Sequence, residues 1–131
     1  MPIRTCDSGK MKFDSPRALS AYEVGVLRFV LSADFPGVET LRAQVESLVV
    51  VGRCDCGCPT VDLSTDAEAV AAVELEQRVL PVGAVIAPLG DEPPGEVIVF
   101  ADNGLLSGLE YVYYDDTPPA AWPEPSRLTL R

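Results

Sequence analysis

The sequence predicts an α+β domain, with two N-terminal helices packed on a mostly antiparallel sheet of about five strands. Three observations predict this class. The clearest helix signals lie in the first third of the chain, β-rich runs dominate the rest, and an Asn-Gly pair separates two of these runs near the C-terminus. Helices and strands that are segregated along a chain in this way favour an antiparallel sheet with helices on one face.

The length and the composition are those of one domain. The chain has 131 residues, which is an ordinary domain size, and hydrophobic residues make up 47 % of it. That fraction supports a core without help from disulfides or metal ions. We therefore predict a single domain over residues 1–131, with an irregular N-terminal lead-in over residues 1–18 and a proline-rich C-terminal tail from Thr117.

Two helices are expected after the lead-in. Ser20 and Glu23 have the spacing of a capping box, in which the serine oxygen accepts a backbone N–H and the glutamate reaches back to the cap. Apolar residues then recur at helical spacing, at Val24, Leu27, Val30 and Leu31. Pro36 ends this helix, because the residue before a proline disfavours the α conformation. A second helix is expected over residues 38–47.

Short β-rich runs follow the helices. Before residue 90, the runs with strand character are residues 48–51, 60–63 and 82–87. The first two are expected to pair across a tight turn over residues 55–59. Residues 66–80 combine Ala and Glu with Val and Leu, so the sequence leaves both helix and strand open there.

The strongest strand signal is a hairpin near the C-terminus. Residues 96–101 and 105–114 flank Asn103-Gly104, and both of these residues tolerate the positive φ angles of a tight turn. On the second strand Leu109, Tyr111 and Tyr113 share one face, because alternate residues of a strand point the same way. Glu110 lies on the opposite face, where solvent and a pocket are its alternative environments.

Charge restricts the classes of partner. Twenty Asp and Glu residues against ten Lys and Arg residues give a net charge of −10. A field of this sign repels phosphate backbones and anionic lipid headgroups. We therefore expect no nucleic-acid partner and no membrane partner, and any protein partner is expected to be basic. The oligomeric state is left open.

The lack of histidine restricts the chemistry. The chain contains no histidine, which removes Ser-His-Asp and Cys-His catalysis and makes an enzyme less expected than a binding protein. No targeting pattern follows Met1, and no apolar run is long enough to span a bilayer. A cytoplasmic location is therefore expected, in which the four cysteines would be thiols or metal ligands.

The most distinctive motif is the alternation of Cys54, Cys56 and Cys58. In an extended segment alternate residues face one side, so the three sulfurs could converge. Three interpretations stay open: reduced, metal-free thiols at a tight turn, thiol redox chemistry, and a zinc site completed by Cys6, a carboxylate such as Asp55, or water. The spacing favours the first, because zinc knuckles usually place two residues between paired ligands and no second pair follows.

Aromatic residues near the C-terminus are the candidate partner-binding residues. Tyr111, Tyr113 and Trp122 belong to residue types that are enriched at binding hot spots. The alternative, which we favour, is that the proline-rich tail folds back and that Trp122 covers the sheet.

Several segments together resemble a family of small uncharacterised actinobacterial proteins. The most specific of them is the decapeptide Cys54-Asp55-Cys56-Gly57-Cys58-Pro59-Thr60-Val61-Asp62-Leu63. Phe35-Pro36-Gly37 and Asn103-Gly104-Leu105-Leu106 support it, over roughly residues 15 to 125. The resemblance implies a bacterial, cytoplasmic setting and supplies no catalytic residue. In size and order of elements the chain is also similar to small immunity proteins of bacterial toxin systems.

The sequence thus supports three hypotheses about function. The first is a non-enzymatic, acidic protein-binding module, such as an inhibitor or an immunity-like protein. The alternative is a metal- or thiol-dependent module that uses the cysteine cluster. An enzyme that works with carboxylates ranks last.

Overall fold

A computed structural model describes residues 11–91, 94–114 and 117–131 and shows an α+β fold. Its helices are α1 (Ala21–Val30) and α2 (Val38–Gln44), with 3₁₀ turns at Val45–Ser47 and Pro125–Arg127. The strands within these residues are β1 (Met11–Ala18), β2 (Val49–Cys54), β3 (Val61–Ser64), β4 (Ala84–Ile86), β5 (Gly95–Asp102), β6 (Leu105–Tyr113) and β7 (Leu128–Leu130). They form one antiparallel sheet in the order β1-β2-β3-β6-β5-β4-β7.

The predicted class is confirmed, but the sheet is larger than predicted. The described residues contain seven strands instead of about five. Strand β1 occupies residues 11–18, which were expected to be irregular, and it precedes both helices. Strand β7 lies in the proline-rich tail and pairs with β4. Strand β1 contains Pro16 and β7 has only three residues, so both strands depend on pairing with a strand that is distant in sequence.

The helices cover the sheet around one hydrophobic core. Helix α2 packs against β6, and α1 packs against β7 and the 3₁₀ turn before it. The largest side chains with almost no exposed surface include Leu27, Leu31, Leu41, Leu106 and Leu109. No helix in the described ranges combines the length and the apolar character that crossing a membrane requires.

Helix α1 begins as predicted. The Ser20 hydroxyl accepts the Glu23 backbone N–H at 3.1 Å, and the Glu23 carboxylate accepts the Ser20 backbone N–H at 2.7 Å. The Arg17 guanidinium donates two further hydrogen bonds to the same carboxylate, each at 2.9 Å. The buried Glu23 side chain therefore joins β1 to α1 as well as capping the helix.

The Glu23 carboxylate should make stability depend on pH. Burial raises the pKa of Glu23, but the Arg17 guanidinium and the Ser20 backbone N–H outweigh it and hold the pKa below its ordinary value. A depressed folded-state pKa contributes stability above the unfolded-state pKa, and that stability is lost as the pH falls through the folded-state value. We predict that Glu23→Gln destabilises the protein most near neutral pH and progressively less in acid.

Urea denaturation of the wild type and of Glu23→Gln at a series of pH values measures this difference. Glu39→Gln, which changes an exposed carboxylate on α2, is the matched control. A Glu23→Gln deficit that stays the same from neutral to acidic pH would count against the role given to this carboxylate.

The β5–β6 hairpin forms at the predicted turn. Asn103 and Gly104 have φ angles of 53° and 78°, and the strands pair from Gly95 opposite Tyr113 to Asp102 opposite Leu105. Both faces of the second half of β6 are buried. Glu110 is only 6 % exposed, so the expectation that its side chain could face solvent is wrong.

Residues 66–80, which we name the strap, form neither a helix nor a regular strand. They run beside the hairpin and bond to its backbone. The backbone N–H to carbonyl bonds join Val73 to Gly104 at 3.1 Å, Leu80 to Val99 at 3.0 Å and Ala101 to Arg78 at 2.8 Å. These partners are distant in sequence, which explains why local patterns did not decide the secondary structure of the strap.

One buried side chain joins α2, the strap and the hairpin. Gln44 has no exposed surface. Its amide nitrogen donates to the carbonyls of Ala71 at 2.8 Å and Gly104 at 3.0 Å, and its amide oxygen accepts the Leu106 backbone N–H at 2.8 Å. Buried polar groups are hydrogen-bonded in stable proteins. From its position on α2, the Gln44 amide forms these bonds with backbone groups of both the strap and the hairpin.

Candidate cysteine site

The cysteine cluster, Cys54, Cys56 and Cys58, lies where β2 turns into β3. Cys54 is the last residue of β2, and the other two follow in the turn. Gly57 takes a φ of 92° at the reversal, a conformation that glycine adopts at little cost. The Cys54 backbone N–H donates to the Thr60 carbonyl at 3.1 Å and closes the turn.

The three sulfurs converge as expected, but through the turn and not along an extended segment. They lie within 4.8 Å of one another, and the Cys54 and Cys56 sulfurs are 3.0 Å apart. Cys54 and Cys58 are buried and belong to the hydrophobic core, whereas Cys56 is exposed. The cluster therefore extends from the core to the surface, where Cys56 is accessible from solution.

Two neighbouring groups direct hydrogen bonds at Cys56. The Cys58 backbone N–H donates to the Cys56 sulfur at 3.4 Å, and the Tyr113 hydroxyl donates from β6 at 3.6 Å. Burial raises the pKa of Cys56, but these donors outweigh it and bring the pKa below its ordinary value. The site therefore favours the thiolate at this position.

The pKa of Cys58 shifts in the opposite direction. Burial, helped by the adjacent Cys56, raises the pKa of Cys58 to about 11, although hydrogen bonds with Thr60 act in the lowering direction. The cluster thus combines an exposed sulfur whose pKa is lowered with a buried sulfur whose pKa is raised. Two such sulfurs side by side would repel each other if both ionised, unless a cation shared their charge.

The oxidation states of the cysteines differ. Cys54 is disulfide-bonded, whereas Cys56 and Cys58 are thiols. The expectation that all three are reduced is therefore wrong for Cys54. Cys6, the sequence-based candidate for a fourth ligand, lies outside the described residues.

The two thiols should differ in reactivity. We predict that iodoacetamide modifies Cys56 at least about tenfold faster than Cys58 near neutral pH, because the thiolate is the nucleophile and access also favours Cys56. Peptide mass spectrometry over a time course measures both rates. In Cys56→Ser the fast phase should disappear and the slow one remain. Equal rates in the wild type would contradict the asymmetry.

The candidate partner-binding aromatics are largely buried. Tyr111, Tyr113 and Trp122 are 6 %, 7 % and 7 % exposed. The Tyr111 and Trp122 rings pack with centroids 5.4 Å apart and an interplanar angle of 36°. The tail does fold back so that Trp122 covers the sheet, which leaves these side chains little surface for a protein partner.

Two residues of the site were not identified from the sequence. Thr60 accepts the Tyr111 backbone N–H with its hydroxyl at 2.9 Å and also neighbours Cys58. Tyr113 was assigned to a partner surface, yet its hydroxyl points at Cys56. The contact between Tyr113 and Cys56 joins residues 57 positions apart, so only the β3–β6 pairing could have indicated it.

In comparisons with known proteins, no protein-family model, no curated protein and no solved structure matches this chain. The function therefore has to be argued from the site itself.

Proposed function

We propose that this domain is a metal-binding module in which Cys54, Cys56 and Cys58 hold a thiophilic ion such as zinc. The convergence of the three sulfurs within 4.8 Å carries the proposal. Sulfurs that share a tetrahedral zinc ion, with Zn–S bonds of about 2.3 Å, are separated by about 3.8 Å. The sulfurs of this cluster therefore need only small shifts to reach that arrangement.

The electrostatics of the cluster support a cation. A bound divalent ion would offset the repulsion between adjacent thiolates, and the N–H and O–H donors at Cys56 would stabilise the ligand charge. Because Cys58 has its pKa raised to about 11, it must release a proton to become a ligand. Metal affinity is therefore expected to rise with pH.

A zinc ion needs a fourth ligand beside the three sulfurs. The sequence offers Cys6, Asp55 and a water molecule for this position. A fourth cysteine would close the site, as in structural zinc centres, whereas water would leave one position open to exchange.

The disulfide at Cys54 defines the condition for binding. A sulfur in a disulfide cannot act as a thiolate ligand, so the proposal applies to the reduced protein. Metal titrations therefore require prior reduction with a phosphine, which does not compete for zinc as thiols do.

Zinc affinity of cysteine variants is the test of the proposal. We predict that the reduced wild type binds one zinc ion and that Cys54→Ser, Cys56→Ser and Cys58→Ser each lose more than about 100-fold in affinity, since even groups outside the ligand shell cost about 10–100-fold. Competition with a chromophoric chelator measures these affinities. Glu68→Gln, at an exposed position outside the cluster, is a control for zinc held by surface carboxylates.

The Cys6→Ser variant identifies the fourth ligand in the same experiment. A comparable loss would assign Cys6, and an unchanged affinity would leave Asp55 or water. Wild-type affinity in all three cluster variants would refute the proposed site.

A second candidate is the non-enzymatic, acidic protein-binding module, in the manner of an inhibitor or an immunity-like protein. Its specific support is the exposure of large apolar side chains, with Phe13 at 76 % and Leu89 at 63 %. The net charge of −10 would attract a basic partner. Association with that partner should slow as salt rises, and a rate insensitive to salt would argue against it.

A further inference from the structure

A groove lies between the strap and the loop that joins α1 to α2. Its volume is about 550 Å³, within the range of roughly 300–1,000 Å³ that is typical of ligand sites. Pro36 of the loop lines the groove together with residues 74–77 and 79–81. The groove is therefore built by segments that lie outside the helices and the named strands.

The groove presents apolar surface to solvent. Val79 is 43 % exposed, and Pro36 and Pro81 are exposed as well. Leu75 is half-buried and packs against the hydrophobic core. Exposed apolar surface that is contiguous and has a polar rim is typical of interaction sites. A partner that covered these side chains would remove apolar surface from water, which favours binding.

The charged residues that line the groove are both acidic. They are Glu74 and Glu76, which are exposed. Neither side chain forms an ion pair or a hydrogen bond with a residue in the described ranges. The adjacent Arg78 lines the cavity between the strap and the hairpin instead, where its guanidinium donates to the Asp102 carboxylate at 2.5 and 3.1 Å. Two carboxylates of the groove are therefore available to a cationic partner.

The strap holds the acidic wall of the groove in place before a partner binds. Its backbone is bonded to the hairpin on both sides of residues 74–77. The Val73 N–H donates to the Gly104 carbonyl at 3.1 Å, and the Arg78 carbonyl accepts the Ala101 N–H at 2.8 Å. A preformed site loses less conformational entropy on binding than one that must first be ordered.

We propose that this groove binds a short basic segment of a partner protein, in which an apolar side chain lies between two arginines. The apolar side chain contacts Leu75 and Val79, and the guanidinium groups pair with the carboxylates of Glu74 and Glu76, whose geometry they match. A second copy of this chain is disfavoured as the occupant, because two molecules with a net charge of −10 repel each other. The inference rests on the second candidate function, the acidic protein-binding module, and is independent of the metal site.

A pair of peptides tests the proposal on the wild-type protein. The probe is the blocked pentapeptide Gly-Arg-Leu-Arg-Gly, and in the matched peptide citrulline replaces both arginines, which keeps the shape of the side chains and removes their charge. We expect the arginine peptide to shift the backbone amide NMR signals of residues 74–80 saturably at physiological ionic strength. The citrulline peptide should bind at least about fivefold more weakly, because one exposed ion pair contributes up to about fivefold in affinity.

Two double variants provide the second arm. Glu74→Gln with Glu76→Gln should weaken binding of the arginine peptide at least about fivefold. The control, Glu46→Gln with Glu124→Gln, removes the same charge at exposed positions outside the groove, and it should weaken binding less than about twofold, because salt screens distant charges. No saturable shift at residues 74–80 with millimolar peptide, or equal binding of the two peptides, would overturn the proposal. Equal weakening by both double variants would also overturn the groove, but it would leave the acidic protein-binding function intact, since net charge alone would then attract the peptide.

Discussion

Replacing Gln44 with Met is expected to lower the free energy of unfolding by about 3 kcal/mol, since each buried group left unsatisfied costs about 1–3 kcal/mol. Methionine has a similar volume but cannot form the three hydrogen bonds of the amide. The Leu106 N–H and the Ala71 carbonyl would lose their Gln44 partner, whereas the Gly104 carbonyl would keep the Val73 N–H. Urea denaturation measures the loss.

Gln77→Met is the matched control for this variant. Gln77 lies in the strap with its side chain exposed, so the same substitution there should change the free energy of unfolding by less than about 0.5 kcal/mol. Equal stabilities of the Gln44 and Gln77 variants would show that the buried amide does not join α2, the strap and the hairpin as described.

Replacing Gly104 with Val is expected to destabilise the protein by more than about 3 kcal/mol, from backbone strain of about 1–3 kcal/mol and a steric clash in addition. Gly104 has a φ of 78°, and a Cβ atom there would lie 2.0 Å from the Val73 carbonyl oxygen and 2.7 Å from the Val73 nitrogen. The strap would therefore have to move away from the hairpin. Thermal unfolding measures the effect.

Gly90→Val separates the two contributions at Gly104. Gly90 also has a positive φ, 64°, but no atom lies within 4 Å of a Cβ built there. This variant should therefore show only the cost of the conformation, about 1–3 kcal/mol. If both variants lost the same free energy of unfolding, the close contact between the strap and the hairpin would not contribute to the effect of Gly104→Val.

Local patterns predicted the elements that local interactions specify. The capping box of Ser20 and Glu23 involves residues three apart, and the Asn103-Gly104 turn requires only the φ angles of two adjacent residues. The three cysteines lie within five residues and converge through the local turn at Gly57, although the sequence analysis expected convergence from an extended segment. In each case the determining geometry lies within a few residues.

The missed features depend on contacts between distant parts of the chain. Strand β7 has three residues and exists through its pairing with β4, more than 40 positions away. The strap is held by the hairpin, and Glu110 is buried because both faces of β6 are covered. The hydrogen bond from the Tyr113 hydroxyl to the Cys56 sulfur likewise depends on the pairing of distant strands. Patterns within a single sequence do not indicate which distant segments will pair.

The absorption spectrum of the reduced protein with cobalt(II) tests the metal-binding claim most directly. Cobalt(II) substitutes for zinc, and thiolate-to-cobalt charge transfer in the near ultraviolet appears only when sulfur is a ligand. We predict that this band grows to saturation at one cobalt per chain, that added zinc abolishes it, and that Cys54→Ser, Cys56→Ser and Cys58→Ser each weaken it. A cobalt spectrum without thiolate charge transfer would contradict the account, because it would show that the converged sulfurs do not bind the ion.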